Sequence, residues 1–170
     1  MSMSFIHRFI DQLSELTGRV LAWLSLLMMV LLCLVVILRY GFEIGSIGLQ
    51  EGVTYLHASI FMLGAAYTLK HDGHVRVDIF YRNFSPRSKA WINSLGGIIF
   101  LLPLCVYIFF ISWDFVLQSW AIGEVSTEPG GIPAVFLLKS LIPIMAINLG
   151  LQALADILRS ALVLVEAAND

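Results

Sequence analysis

Charge is what this sequence has least of. Only 13% of its 170 residues are Asp, Glu, Lys or Arg, against roughly 25% in a soluble domain. Mean hydropathy is +0.88, and 59% of the residues are hydrophobic. Those values exclude an ordinary soluble domain and point to a membrane protein. The net charge of −2 comes without a basic tail or a long charge block, so nothing suggests nucleic acid as a partner. Cysteine is scarce as well. Cys33 and Cys105 both lie in apolar runs, which gives no disulfide and no CxxC metal pair. A nucleophile elbow, a phosphate loop and an HExxH helix are all missing, so no motif supports an enzyme.

Long apolar runs are what the chain does have. A helix rising 1.5 Å per residue needs about 20 residues to cross roughly 30 Å of hydrocarbon. Residues 20–38 carry no charge, nor do 52–69 or 90–113. A fourth run, 134–155, is broken only by Lys139. The expectation is an all-α membrane protein, a single membrane domain over 1–170 with four transmembrane helices at 20–38, 52–69, 90–113 and 134–155. The first run ends CLVVILRY and is longer than a signal-peptide core, so it reads as a retained anchor. Ahead of it, Phe5, Ile6, Phe9, Ile10, Leu13 and Leu16 recur at helical spacing. His7, Arg8, Asp11, Gln12, Glu15 and Arg19 take the other face. This predicts an amphipathic helix over 4–19, lying in the membrane surface or packed on a partner protein.

Basic residues orient the spans. With the N-terminus inside, the inner segments hold Arg8, Arg19, Lys70, Arg76, Arg82, Arg87, Lys89 and Arg159, and the outer segments hold only Arg39 and Lys139. Both termini are therefore expected in the cytoplasm. The outer loop expected at 114–133 is acidic, with Asp114, Glu124 and Glu128, and its STEPGGIP stretch is turn-rich. The earlier outer stretch RYGFEIGSIGLQEG holds four glycines. Both outer loops look suited to close contact with a partner.

Ionisable residues inside a membrane are functional candidates by default. His57 stands alone in the second run, where a hydrogen-bonded interhelical role competes with a ligand role. Glu51, at the start of that helix, favours its positive end, a capping role that competes with a coupling-ion or proton site. Lys139 can reach outward along its alkyl stem. Haem would need two facing histidines at membrane depth, and His57 has no such mate in the sequence. Pro103 and Pro143 can kink the third and fourth spans, and small residues such as Gly64, Ala65, Ala66, Gly96 and Gly97 permit close packing.

The stretch KHDGHVRVD at 70–78 concentrates charge where a span ends. His71, His74 and Asp78 could align on a helix around a metal, but Gly73 disfavours a continuous helix there. The reading is an elbow at the inner surface: the second helix ends near Lys70, Gly73 turns, and Ser85 caps the third span with Pro86 at its first position. Basic residues of the elbow would face anionic lipid headgroups.

RYGF at 39–42, a glutamate at the second helix start, LGAAYTLK at 63–70, HVRVD at 74–78, SPRSK at 85–89 and the later GIPAVFLLKSLIPIMAINLGLQAL together form a pattern. It resembles the small membrane subunit of tripartite ATP-independent periplasmic (TRAP) transporters over roughly residues 15–160. One departure is LQE at 49–51, where the family often carries a tryptophan and paired acids; here only Glu51 is available. The resemblance implies two protein partners, a large membrane subunit and a periplasmic substrate-binding protein that delivers an organic acid such as a carboxylate or sulfonate. Sodium would bind the large subunit, and this chain would need no cofactor or metal of its own. Its place would be the cytoplasmic membrane of a bacterium or archaeon, among membrane lipids. Residues expected to serve the partners or the structure are Arg39, Glu51, His74, Arg76, Asp78, Glu124, Glu128 and Lys139. The competing readings are a membrane anchor or cytochrome-type subunit of a redox complex, and a stand-alone exporter.

Overall fold

A computed structural model describes residues 3–74, 81 and 83–169 of the chain. Among these residues the regular structure is helical throughout. Helix α1 runs Met3–Gly41, α2 Ile47–Lys70, α3 Pro86–Gly96, α4 Leu102–Ile122 and α5 Val135–Asn169. A single wide turn, Gly97–Leu101, joins α3 to α4. Its cause is Pro103, which has no N–H and whose ring crowds the carbonyl four residues back. The backbone widens by one residue, and Leu102 N–H donates to Gly97 O instead. Among the described residues three stretches are long and apolar enough to cross a membrane: His7–Gly41, Pro86–Ile122 and Val135–Val165. Helix α2 does not join that set.

Several boundaries follow the local rules. Ser46 caps α2 by accepting from Leu49 N–H. The helix ends at Lys70, where Gly73 N–H donates back to Thr68 O at 2.9 Å. Asp72, not Gly73, takes the left-handed conformation in that turn, with φ 53°. Ser85 caps α3 by accepting from Ser88 N–H at 3.2 Å, and Pro86 follows at the first position.

Two expectations are corrected. The stretch 4–19 is not a separate surface helix; it is the first half of α1, which at 39 residues reaches about 58 Å. Its faces also divide differently, although Ile10 of the apolar face is buried and Arg8, Gln12 and Arg19 of the polar face are exposed. Phe9 and Leu16 are each 61% exposed, while Asp11, Ser14 and Glu15 turn toward α2 and α5. Nor does the outer loop begin at 114. WDFVLQSWAI contains no breaker, so α4 continues to Ile122 and stops at Gly123, which is left-handed at φ 59°. Asp114 is an exposed helical residue.

Helix α5 is the hub. It packs on α1, α2, α3 and α4, whereas α1 packs also on α2, and α4 leans mainly on α5 apart from its own wide turn. The core is built from small side chains: Ala66, Ala90, Cys105, Ala146, Ala153 and Ala155, with Ser14, Ser94, Ser112 and Ser119. In α4 the buried positions Cys105, Ser112, Val116 and Ser119 recur at 7, 4 and 3 residues, a narrow stripe on one face. Large apolar residues such as Trp23, Phe100 and Phe110 point outward. That inversion of a soluble core is how helices pack in lipid, where close approach rather than hydrophobic burial holds them together. Gly18 shows the limit of approach, since a Cβ there would collide with the Tyr67 ring.

Candidate functional site

Polar side chains gather at the two ends of the bundle. One end combines the first half of α1, the end of α2 and the second half of α5. Gln152 is completely buried there. Ser14 Oγ donates to Gln152 Oε1 at 2.7 Å, and Gln152 Nε2 donates to Asp11 and Asp156 at 3.3 Å each. Arg159 donates to both oxygens of Asp11 at 3.0 and 2.9 Å. Both bonds come from the one nitrogen Nη2, while Nη1 turns to Asp156 at 3.3 Å, so the guanidinium bridges two carboxylates. Lys70 Nζ reaches Glu15 at 2.8 Å and the Asp11 carbonyl at 2.9 Å. His71 Nε2 lies 3.1 Å from the same Glu15 oxygen. Three helices far apart in sequence are thereby tied together.

A cavity of about 530 Å³ opens beside this network, lined by Lys70, Asp72, Tyr81, Asn93, Asp156 and Arg159 among others. Tyr81 OH donates to Asn93 at 3.1 Å in its wall. Lys70 and Arg159 are both engaged by carboxylates, so the walls are close to neutral pairs rather than a field of one sign.

The opposite end is organised by Glu51. Its carboxylate does not cap α2; it sits one turn inside and accepts from Ser126 Oγ and, at 2.6 Å, from Ile132 N–H. Glu51 thus holds the turn-rich loop over the start of α2. Gly131 is required beneath it, because a Cβ there would collide with Ser126 and stand 2.8 Å from Glu51 Oε1. Gly130 is left-handed at φ 81°, and its carbonyl lies 3.0 Å from where a Cβ on Gly48 would stand. Lys139 reaches outward to pair with Glu124 and lies 3.9 Å from the Phe115 ring centroid. The hydrogen bond from Lys139 holds the Glu124 carboxyl below its ordinary value of 4.5. Trp120 Nε1 donates to Ser140 Oγ at 2.8 Å, closing the same end.

The residues singled out in the sequence divide as follows. Glu51, Glu124 and Lys139 come together at the loop-bearing end. Glu128 is exposed on that loop, and Arg39 is exposed in the last turn of α1, where a cation suits the negative helix end. His74 Nε2 lies 3.2 Å from the Ala65 carbonyl, while His71 Nδ1 lies 3.0 Å from that of Tyr67. The two rings thus serve different turns of the same helix end. Arg76 and Asp78 lie outside the described residues. Sequence reasoning missed Ser14, Gln152 and Asp156 altogether. The available signal was Gln152 and Asp156 four apart in an otherwise apolar helix, with Arg159 three further on.

No curated protein and no solved structure showed significant similarity to the chain. A family profile did: residues 28–162 match the one described as Tripartite ATP-independent periplasmic transporters, DctQ component. That family is a transporter component rather than an enzyme family. Covering most of the chain and all of α2, α3 and α4, the match identifies the protein as a member of the DctQ family, the small membrane subunit of TRAP transporters.

Proposed function

We propose that the chain is a four-span scaffold, with both termini in the cytoplasm of a bacterium or archaeon. It braces the large membrane subunit and helps seat the periplasmic binding protein during sodium-coupled uptake of an organic acid. Sodium and substrate bind the large subunit. One observation carries the four-span reading: Asp11, ahead of the first apolar run, is paired at 2.9 Å with Arg159, beyond the last. Three crossings would leave those residues on opposite sides of the membrane; an even number returns them to one side. Helix α2 supplies the missing crossing. Its 24 residues span about 36 Å, more than the hydrocarbon core. It lies between two apolar helices, and Gln50, Glu51, His57 and Lys70 are the strongest diluents of its hydropathy. The basic residues of the inner segments supply the orientation.

The scaffold reading rests on where the polar groups are directed. At both ends they join helix to helix or helix to loop, and the core between is built of small side chains without a buried charge among the described residues. Reconstitution tests it. The purified chain alone moves no solute in liposomes, and uptake requires the large subunit, sodium and the binding protein. Sodium-driven uptake by this chain alone would refute the scaffold. Topology is read by labelling engineered cysteines from outside, in a background lacking Cys33 and Cys105. Positions 46 and 126 react and position 83 does not; the reverse pattern inverts the orientation.

A further inference from the structure

Helix α2 carries an exposed stripe that is polar along most of its length. Gln50, Thr54, His57 and Phe61 follow one another at 4, 3 and 4 residues, which confines them to a sector of about 60°. All four are exposed, Phe61 to 73%. His57 is the eleventh of the 24 residues of α2, so it sits at mid-depth if α2 crosses the membrane as proposed above. Thr54 returns its hydroxyl to the Gln50 carbonyl at 3.3 Å. The His57 ring has no hydrogen bond or ion pair among the described residues.

At comparable depth the outward faces of α1 and α4 are mostly hydrocarbon, with Tyr107 a polar-tipped residue of α4. Leu27, Val30 and Leu34 cover α1, Phe100 the wide turn, and Phe110 and Ile111 α4. Lipid tails suit those faces and cannot serve an imidazole, which needs a donor or acceptor when water is absent. A second copy of this chain could set one neutral His57 against another, donor to acceptor, but the family match gives the chain a different membrane partner, the large subunit. A helix of a different protein can offer the complementary group. The small residues Ala58 and Ala65 flank the stripe and let such a helix approach closely.

We infer that the stripe Gln50–Thr54–His57–Phe61 is the surface on which the large membrane subunit seats a helix, presenting a hydroxyl, amide or carboxylate to His57. The inference rests on the scaffold reading, and it names the face that reading leaves open.

The test uses the chain co-expressed with its tagged large subunit. A photo-crosslinking benzoylphenylalanine is placed at position 54, 57 or 61 of α2, or at Tyr107 or Ile111 of α4, each 61% exposed. Adducts with the large subunit form from 57 and 61 and not from 107 and 111. In parallel, His57→Leu lowers the large subunit recovered with the chain about threefold, the effect of one average membrane hydrogen bond, while His57→Gln retains most of it. Four results overturn the stripe: adducts from α4 alone, adducts only with a second copy of the chain, adducts only with lipid, or full recovery with His57→Leu. A wild-type chain that recovers no large subunit refutes the scaffold reading instead. A complex that survives without stripe adducts refutes only the stripe.

Discussion

Gln152 offers the sharpest measurement of what holds the termini-bearing end together. Gln152→Ala removes a side chain with no exposed surface, which accepts from Ser14 at 2.7 Å and donates to Asp11 and Asp156 at 3.3 Å. The Ser14 bond is neutral and contributes about 1 kcal/mol net; bonds between membrane helices average about 0.6 kcal/mol. The two 3.3 Å bonds are long and contribute less than ordinary bonds to charged groups. Neither carboxylate is stranded, because Arg159 still serves both. Adding the void left by the missing amide, the loss comes to about 2–4 kcal/mol. For a chain of this size that is a fall in midpoint of roughly 5–15 °C. Reversible unfolding in mixed micelles, followed by tryptophan fluorescence, reads it directly. The Ser14→Ala, Gln152→Ala cycle isolates the pair, with an expected coupling of about 0.5–1.5 kcal/mol. A Gln152→Ala loss below about 0.5 kcal/mol, or additivity within about 0.3 kcal/mol, would show that the bond does not contribute and that the junction of α1 with α5 is misassigned.

Three further outcomes are expected. Gly131→Ala forces the loop off Glu51 and lowers stability by about 1–3 kcal/mol, with faster protease cleavage near 126–132; an unchanged cleavage rate would contradict the clamp. Gly18→Ala destabilises by a similar amount through the Tyr67 ring, and Tyr67→Ala relieves part of it, so the double variant costs less than the sum. Glu124 gives a pH signature. Its carboxyl is held below the ordinary 4.5 by Lys139, so the pair's contribution is present above 4.5 and disappears as pH falls through the depressed value. Glu124→Gln flattens that part of the stability curve, and an equally steep acid limb in the variant would exclude the pair.

What the sequence determined by itself is whatever neighbours along the chain control. Helix α2 stops at Lys70, Ser85 and Pro86 open α3, and the apolar runs mark where helices form, because capping, proline geometry and hydropathy act within a turn or two. Tertiary structure decided which face of each helix meets which neighbour. The first half of α1 has a regular amphipathic pattern, and by itself that pattern directs Asp11 and Glu15 toward water. In the fold they turn inward, because their partners Lys70 and Arg159 arrive from 55 and 148 residues away. Glu51 reads as a helix-end carboxylate until a loop 75 residues later delivers Ser126 to it. Periodicity specifies a face and its chemistry. The complementary charge that makes a polar face a contact face is supplied by packing, and no local spacing encodes it.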